Sequence, residues 1–319
     1  MPGSQEHDGA NNPLFGKSLL SIRQLSRSDI ERILGEAESM KLMLDDGKVE
    51  QPLRNRIMAT LFFEPSTRTR LSFESSMQRL GGGVIGFADA NTTSSVKGES
   101  LADTVEVVSN YADIIVIRHP KIGSADEAAM HSRVPVVNAG DGAGQHPTQA
   151  LYDMFTVKAE KGRLEKLNVA LVGDLKNART IRSFAYALAM FGNNLTFIGP
   201  RQLQMPGEVL RELSERYGIG VETSESLDDA LDADVVYIPR IQKERFADVE
   251  EYKRHASNFY TIDKKFMDRA TRDPIIMSPL PRLGEISTEI DGMKNAVYFR
   301  QAGYGVPVRM AILKMMLAR

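Results

Sequence analysis

The run STRTR at positions 66–70 combines hydroxyl groups and arginines in a pattern suited to binding an anion. An apolar run at 57–63 precedes it and predicts a buried parallel strand, and apolar residues recur at helical spacing from Phe73 to Gly81. The run is therefore expected to form the first turn of a helix, where backbone N–H groups lack partners and arginines oppose the macrodipole. Those N–H groups, the hydroxyls and a guanidinium together predict a phosphate site. The alternative is a solvated, polar helix start.

Other polar candidates follow the predicted ends of other strands. Because ligands of open α/β sheets gather at the carboxyl ends of strands, these side chains are expected to meet in one crevice. Several arginines and one histidine from separate strands indicate a substrate with several negative charges. The candidates are Arg118, Gln145, His146, Gln149, Arg179, Arg240 and the segment 278–282.

Each candidate also has a purely structural interpretation. Arg118 could pair with a surface carboxylate, His146 could cap a helix or lie in the core, and Arg240 could belong to a solvated basic face. Lys97 alone indicates no function, but it lies in the long polar loop DANTTSSVKGES at 89–100. Loops of that length in a compact domain are usually functional or disordered.

Composition narrows the class of protein. The chain has 319 residues, enough for two domains, and its net charge of −2 gives no reason to expect nucleic acid or a membrane surface as a partner. No apolar run approaches the length of a membrane span, and the polar first residues lack the apolar stretch of a secretory signal. The absence of cysteine excludes disulfides and thiolate chemistry and fits a reducing cytoplasm. Without GxGxxG, P-loop, HExxH or EF-hand motifs, no dinucleotide, metal or other cofactor is expected.

Strand and helix patterns alternate along the whole chain. This alternation predicts an α/β fold of two domains, each with a mostly parallel sheet covered by helices. A first helix is expected over 25–44, with Ser28 or Asp29 as its cap. A strand is expected at 259–262, and an amphipathic helix over 306–319.

Seven motifs, in order along the chain, are similar to those of the transcarbamoylase family. They are FFEPSTRTRLSFESSMQRLGG, SSVKGESLADT, VIRHP, NAGDGAGQHPTQALYDMFT, VGDLKNART, PRIQKER and SPLPR. The resemblance runs from about Leu14 to the end of the chain. The last two motifs resemble the aspartate branch, because the ornithine branch has a Ser-Met-Gly loop and a His-Cys-Leu-Pro motif. Two positions differ from the family pattern or are ambiguous. Ser278 stands where many relatives carry histidine, and the family's loop serine near Lys97 corresponds to either Thr93 or Ser94.

The resemblance implies a division of the chain and a set of residues for the first substrate. Residues 1–147 would bind carbamoyl phosphate, with a C-terminal helix at 299–319 returning to this domain, and residues 148–298 would bind aspartate. The implied phosphate ligands are Ser66, Thr67, Arg68 and Thr69. The implied ligands of the carbamoyl oxygen are Thr69, Arg118 and His146, which with Arg68 are the catalytic residues. The implied ligands of the carbamoyl amide are Gln149 and the backbone carbonyls of Leu280 and Pro281.

The resemblance also implies how the second substrate binds and how the chain assembles. Arg179 and Arg240 would bind the two carboxylates of aspartate, with Gln242 near the second. Lys97 would reach into the site of a neighbouring subunit in a homotrimer. Regulatory chains are a further possible partner in this family.

The function implied by the resemblance is transfer of a carbamoyl group from carbamoyl phosphate to the amino group of L-aspartate, in de novo pyrimidine biosynthesis in the cytoplasm. Arginines without a nucleophilic serine or cysteine fit direct attack by an amine. Two alternatives stay open at this point. One is a transcarbamoylase for another amino acid, of the ornithine type, and the other is a non-catalytic subunit that senses phosphate.

Overall fold

The computed structural model describes residues 12, 14–48, 50–240 and 260–318. The first sheet has four parallel strands, β1 (Ile57–Phe62), β2 (Gly83–Phe87), β3 (Ile114–His119) and β4 (Val136–Asp141), in the order β2-β1-β3-β4. The central strands β1 and β3 are apolar and almost wholly buried, as expected for a parallel sheet with helices on both faces.

The second sheet is also parallel and has five strands. They are β5 (Asn168–Val172), β6 (Asn194–Ile198), β7 (Val221–Ser224), β8 (Val235–Tyr237) and β9 (Ile275–Met277). Their order is β7-β6-β5-β8-β9, so β6 and β7 lie on one side of β5 and β8 and β9 lie on the other. The predicted α/β fold with two parallel sheets is confirmed.

Helices flank both sheets and connect them. In the described residues they are α1 (Arg27–Asp45), α2 (Thr67–Arg79), α3 (Leu101–Val108), α4 (Ser124–His131), α5 (Pro147–Lys161), α6 (Arg179–Met190), α7 (Gly207–Tyr217), α8 (Lys264–Arg269) and α9 (Tyr298–Leu317). α5 leads from the first sheet to the second, and α9 packs against α1, α2 and α5. Among these helices we find none with the length and apolar character needed to cross a bilayer.

The largest hydrophobic cluster extends across both halves of the molecule. It contains Met58 and Val116 from the first sheet, Val169 and Tyr237 from the second, and residues of the helices between them. The two sheets therefore share a packed core along α5, α6 and α9. This core fixes the relative position of the strand ends that carry the candidate residues.

The structure corrects the predicted cap of α1. The N-cap is Ser26, not Ser28 or Asp29. The Ser26 hydroxyl accepts the backbone N–H of Asp29 at 3.2 Å, and the Asp29 carboxylate accepts the backbone N–H of Ser26 at 2.9 Å. This reciprocal capping box satisfies two N–H donors at the helix end at once. It therefore favours a helix that starts after Ser26 over one that starts after Ser28 or Asp29.

Two other element predictions were wrong. Position 259 lies outside the described residues, and residues 260–262 form no strand, because Asp263 caps α8 directly after them and leaves room only for a single bridge between Ile262 and Ile286. The amphipathic pattern placed the start of the last helix at residue 306, whereas α9 begins at Tyr298, one residue before the start at 299 that the family resemblance implies. Gly303, Gly305 and Pro307 interrupt its helical pattern in the sequence, yet α9 is held by burial against three other helices.

Candidate active site

The carboxyl ends of strands from both sheets open on one crevice with a volume of about 550 Å³. Of the predicted site residues, those that line it are Ser66, Thr67, Arg68, Thr69, Arg118, His146, Gln149, Arg179, Arg240, Leu280 and Pro281. The first seven come from the half that holds the first sheet or from the start of α5, and the last four from the half that holds the second. The sequence motifs therefore converge in space although they are up to about 215 residues apart.

The start of α2 presents its first turn to this crevice. Ser66 is the N-cap, but its side chain makes no capping hydrogen bond within the described chain. Because residues 66–69 line the crevice, this hydroxyl and the N–H groups of the turn are available there to an anion. Arg68 Nη2 donates to the backbone carbonyl of Leu280 at 2.7 Å, which links this turn to the loop after β9.

Glu64 is a site residue that the sequence reasoning did not identify. It lines the crevice, and its carboxylate lies 3.3 Å from Arg118 Nη2 and 3.2 Å from Arg179 Nη1. Arg118 does pair with a carboxylate, as the structural interpretation held, but that carboxylate lies inside the crevice and is shared with Arg179. The only local signal was an acidic residue between a strand and an arginine-rich turn.

Arg118 and Arg179 are largely buried cations that lie side by side in the crevice, each paired with Glu64. Burial, with the neighbouring charge of Arg179, lowers the pKa of Arg118 to about 10, and its Nε has no partner in the described residues. Arg179 lies at the first position of α6 and donates to the carbonyl of Gly142 at 2.6 Å. Gly140, with φ of +114°, admits this side chain, because a Cβ there would lie 2.9 Å from the Arg179 guanidinium.

His146 lies at the N-cap of α5, but its imidazole does not cap that helix. The side chain is 2% exposed, and Nδ1 finds no hydrogen-bond partner among the described residues. Burial, followed by the charges of Arg179 and Arg118, lowers the pKa of His146 well below its usual value. The imidazole is therefore neutral near pH 7 and can offer an uncharged N–H to a ligand.

Three further predicted residues stand apart from this cluster or at its edge. Arg240 is half-buried at the end of β8 and lines the crevice, whereas Gln242 lies outside the described residues. Lys97 ends a short helical turn at 94–97, is exposed, and does not line the crevice of its own chain. The Thr93 hydroxyl caps that turn by accepting the N–H of Ser95 and donates to Ala90 O at 2.7 Å.

Fold and site together define a class of protein. Two parallel sheets meet at a crevice lined by four arginines and a neutral histidine, and in the described residues no cluster of three or more acidic or histidine side chains is arranged to hold a metal. Such a crevice suits small substrates that carry several negative charges.

Comparison with known proteins places the chain within this class. Residues 17–159 match the carbamoyl-P binding domain of aspartate/ornithine carbamoyltransferases, and residues 165–316 match the Asp/Orn binding domain of the same enzymes. The chain belongs to the aspartate/ornithine carbamoyltransferase family.

The similar proteins belong to the aspartate branch. The aspartate carbamoyltransferase catalytic subunit of Methanothermobacter thermautotrophicus is 53% identical over 95% of this chain and 96% of that protein. The catalytic subunit of Methanocella arvoryzae is 50% identical over 94% and 97%. Aspartate transcarbamoylase from Trypanosoma cruzi, solved with carbamoyl phosphate and aspartate, is 41% identical with a TM-score of 0.91 over 96% and 98% of the two chains. The catalytic subunit from M. Jannaschii is 46% identical with a TM-score of 0.85 over 93% and 97%.

Proposed function

We propose that this enzyme transfers the carbamoyl group of carbamoyl phosphate to the α-amino group of L-aspartate, which yields N-carbamoyl-L-aspartate and phosphate. The observation that carries the proposal is the crevice itself, because its cationic side chains come from both halves of the molecule. One half offers a phosphate site at a helix start, and the other offers two arginines, Arg179 and Arg240, for the carboxylates of a second substrate. The similarity to aspartate carbamoyltransferases supports the same conclusion.

Carbamoyl phosphate would bind at the start of α2. The backbone N–H groups and hydroxyls of residues 66–69, with Arg68, would hold the phosphate. Thr69, Arg118 and neutral His146 would surround the carbamoyl oxygen. As the amine attacks, a C–N bond forms and the carbonyl oxygen becomes an oxyanion, which these three donors stabilise.

Collapse of that intermediate breaks the C–O bond to phosphate. The leaving phosphate carries the electron pair of that bond, and it can accept the proton that the amine loses. Because His146 is uncharged in the free protein, it is suited to donate a hydrogen bond and need not act as a base. Most of the acceleration would come from positioning two anions and from matching charge in the transition state.

Aspartate would lie between the second half of the crevice and the bound donor. Arg179 and Arg240 would bind its carboxylates, with Gln242 near the second. Ornithine has one carboxylate, so a pair of arginines at this place favours the dicarboxylate. A phosphate-sensing subunit without activity would have no need for a second cationic pocket beside the first.

We propose that three identical chains assemble so that each crevice receives Lys97 from a neighbour. Lys97 does not line the crevice of its own chain, and Thr93 or Ser94 beside the same turn would provide a hydroxyl to the same phosphate. Within each chain, residues 1–147 with the helix at 299–319 would bind carbamoyl phosphate and residues 148–298 would bind aspartate. Regulatory chains are a possible further partner, and a cytoplasmic place in pyrimidine synthesis is the expected setting.

A panel of amino-acid acceptors tests the proposed reaction. The purified enzyme should release phosphate from carbamoyl phosphate when L-aspartate is added, and not with ornithine or N-acetylornithine. Turnover with ornithine alone would place the enzyme in the other branch. Absence of turnover with every acceptor, in protein that binds carbamoyl phosphate, would favour the sensing subunit.

Arg240→Ala should raise the KM for aspartate much more than the KM for carbamoyl phosphate. Loss of one charged hydrogen-bonding partner of a carboxylate costs about 2–3 kcal/mol, or roughly 30- to 150-fold in kcat/KM. Arg216→Ala is the control, because Arg216 is exposed on α7 and pairs with Glu212 at 3.2 Å away from the crevice. Equal changes in both KM values would contradict the assigned role of Arg240.

Glu64→Gln should lower kcat/KM for aspartate by about tenfold or more. A neutral amide cannot balance two guanidiniums, so Arg118 and Arg179 would repel each other and shift. Glu74→Gln is a matched control, because Glu74 is similarly accessible but pairs with Arg70 at 3.6 Å outside the crevice. We expect steady-state rates of Glu74→Gln within about twofold of wild type. If the two variants behave alike, Glu64 does not organise the site.

A further inference from the structure

Asp153 is a buried carboxyl group in α5 with an exposed fraction of 0%. Its carboxylate accepts three side-chain hydrogen bonds, from Gln149 Nε2 at 2.9 Å, Gln301 Nε2 at 2.7 Å and Tyr237 OH at 3.0 Å. Burial raises the pKa of Asp153 to about 7. Burying a carboxyl group costs free energy unless it is hydrogen-bonded, so Asp153 needs all three of these partners. Their side chains are therefore held in fixed orientations.

The first consequence concerns the amide of Gln149. Oδ1 of Asp153 is an acceptor, so the Nε2 end of Gln149 must face it and the Oε1 end must face away. Oε1 accepts the hydroxyl hydrogen of Tyr152, and both Gln149 and Tyr152 line the crevice. Asp153 therefore presents a carbonyl oxygen of Gln149 to the ligand side.

The second consequence reaches the loop after β9 through Gln301 on α9. Its Nε2 is held by the same Oδ1 atom, so its Oε1 is free to accept the backbone N–H of Ser278 at 2.8 Å. The Ser278 hydroxyl in turn accepts the N–H of Leu280 at 3.2 Å. Leu280 has a φ of +56°, a conformation that leucine adopts only where its surroundings impose it. This chain of hydrogen bonds ends at Leu280, whose carbonyl accepts a hydrogen bond from Arg68 Nη2 at 2.7 Å at the crevice wall.

We propose that Asp153 is the positioning residue that orients both acceptors for the amino group of the carbamoyl donor, Gln149 Oε1 directly and the Leu280 carbonyl through Gln301. The inference rests on the proposed function. A carbamoyl amino group donates two hydrogen bonds, whereas the methyl group of acetyl phosphate donates none. Each acceptor oxygen already takes one hydrogen bond, Gln149 Oε1 from Tyr152 and the Leu280 carbonyl from Arg68, and has a second lone pair for the carbamoyl amino group. Two such acceptors would favour carbamoyl phosphate over acetyl phosphate, because only the carbamoyl amino group adds hydrogen bonds to them.

The geometry makes a specific demand on the side chain at position 153. An asparagine keeps a carbonyl oxygen for the two glutamine amides, and its NH₂ group can donate to the oxygen of Tyr237. A leucine has the same branched shape but no acceptor, so both glutamine amides would lose their orientation. The proposal therefore requires a hydrogen-bond acceptor at position 153 and does not require a negative charge there.

The test compares the KM for carbamoyl phosphate with the inhibition constant of acetyl phosphate at saturating aspartate. Asp153→Leu should reduce the preference for carbamoyl phosphate by about tenfold or more, the effect of losing one or two buried hydrogen bonds. Asp153→Asn should keep the preference within about threefold of wild type. Asp234→Leu is the control, because Asp234 is also a buried carboxylate but accepts the N–H of Asn168 at 2.9 Å at the opposite end of β8. Its preference should equal that of wild type.

A second variant tests the same inference if Asp153→Leu does not fold. Gln301→Met keeps the length of the side chain but removes the link to Ser278, and it should lower the same preference through Leu280 alone. A folded Asp153→Leu or Gln301→Met enzyme with wild-type preference overturns the inference, and so does an Asp153→Asn enzyme that loses it as fully as Asp153→Leu. Failure of the proposed function has a different signature, since wild type itself would then make no carbamoyl-aspartate.

Discussion

Replacing Arg68 by alanine should lower kcat by about 10²- to 10³-fold while the fold stays intact. Arg68 lies in the first turn of α2 within the crevice, where its guanidinium can form two charged hydrogen bonds to a phosphate. Removing one donor that stabilises transition-state charge costs roughly 3–4 kcal/mol. Arg68 also donates to the carbonyl of Leu280, so its loss removes a link between the two halves of the site.

The neighbouring residue Arg70 provides the control for this experiment. It belongs to the same helical turn and carries the same charge, but it pairs with Glu74 at 3.6 Å and does not line the crevice. Arg70→Ala should keep most of its activity, because exposed pairs of this kind contribute little. If Arg68→Ala retained more than about a tenth of the wild-type kcat, the loss would be under ~1.4 kcal/mol and the phosphate assignment would be wrong.

Activity should reappear when two inactive variants are dissociated, mixed in equal amounts and reassembled. Arg68→Ala chains still provide Lys97, and Lys97→Gln chains still provide Arg68. In a closed ring of three chains with head-to-tail interfaces, random mixing creates both residues intact at roughly a quarter of the sites. The mixture should therefore regain about a quarter of wild-type activity, whereas each parent alone stays nearly inactive.

A second mixture shows whether recovery depends on sharing between chains. Arg68 and Arg118 line the same crevice of one chain, so Arg68→Ala mixed with Arg118→Ala can form no intact site and should stay inactive. Recovery of activity in both mixtures would indicate exchange between samples or contamination with active enzyme, and not a shared site. If hybrid trimers form but the first mixture stays inactive, Lys97 acts within its own chain or has no role in the reaction.

Local sequence patterns were sufficient to predict the strand-to-helix unit at 57–81 and the placement of most candidate residues. Each of those residues lies at or beyond the carboxyl end of a buried apolar strand, and the carboxyl ends of parallel strands meet at one edge. The convergence of Arg68, Arg118 and Arg179 therefore required no knowledge of distant contacts. Their distance from one another along the chain did not matter, because the sheet order brings the strand ends together.

The features that sequence reasoning missed depend on contacts between distant segments. Glu64 acquires its role from Arg118 and Arg179, which are 54 and 115 positions further along the chain. Asp153 meets Gln301 across 148 positions, so its sequence pattern shows only a polar residue in a helix. Local helix propensity did not predict the start of α9 for a related reason. Burial against other helices offsets the poor helix propensity of Gly303 and Gly305.

In the proposed reaction, one crevice joins a carbamoyl group to the amino group of aspartate. NMR can follow carbamoyl phosphate labelled with ¹³C at the carbonyl in the presence of enzyme and L-aspartate. We expect this reaction to move the labelled signal to N-carbamoyl-L-aspartate with one phosphate released per product, and we expect Arg68→Ala to slow it by about 10²-fold or more. Label that appears only in the products of spontaneous breakdown, or on ornithine in preference to aspartate, would contradict it.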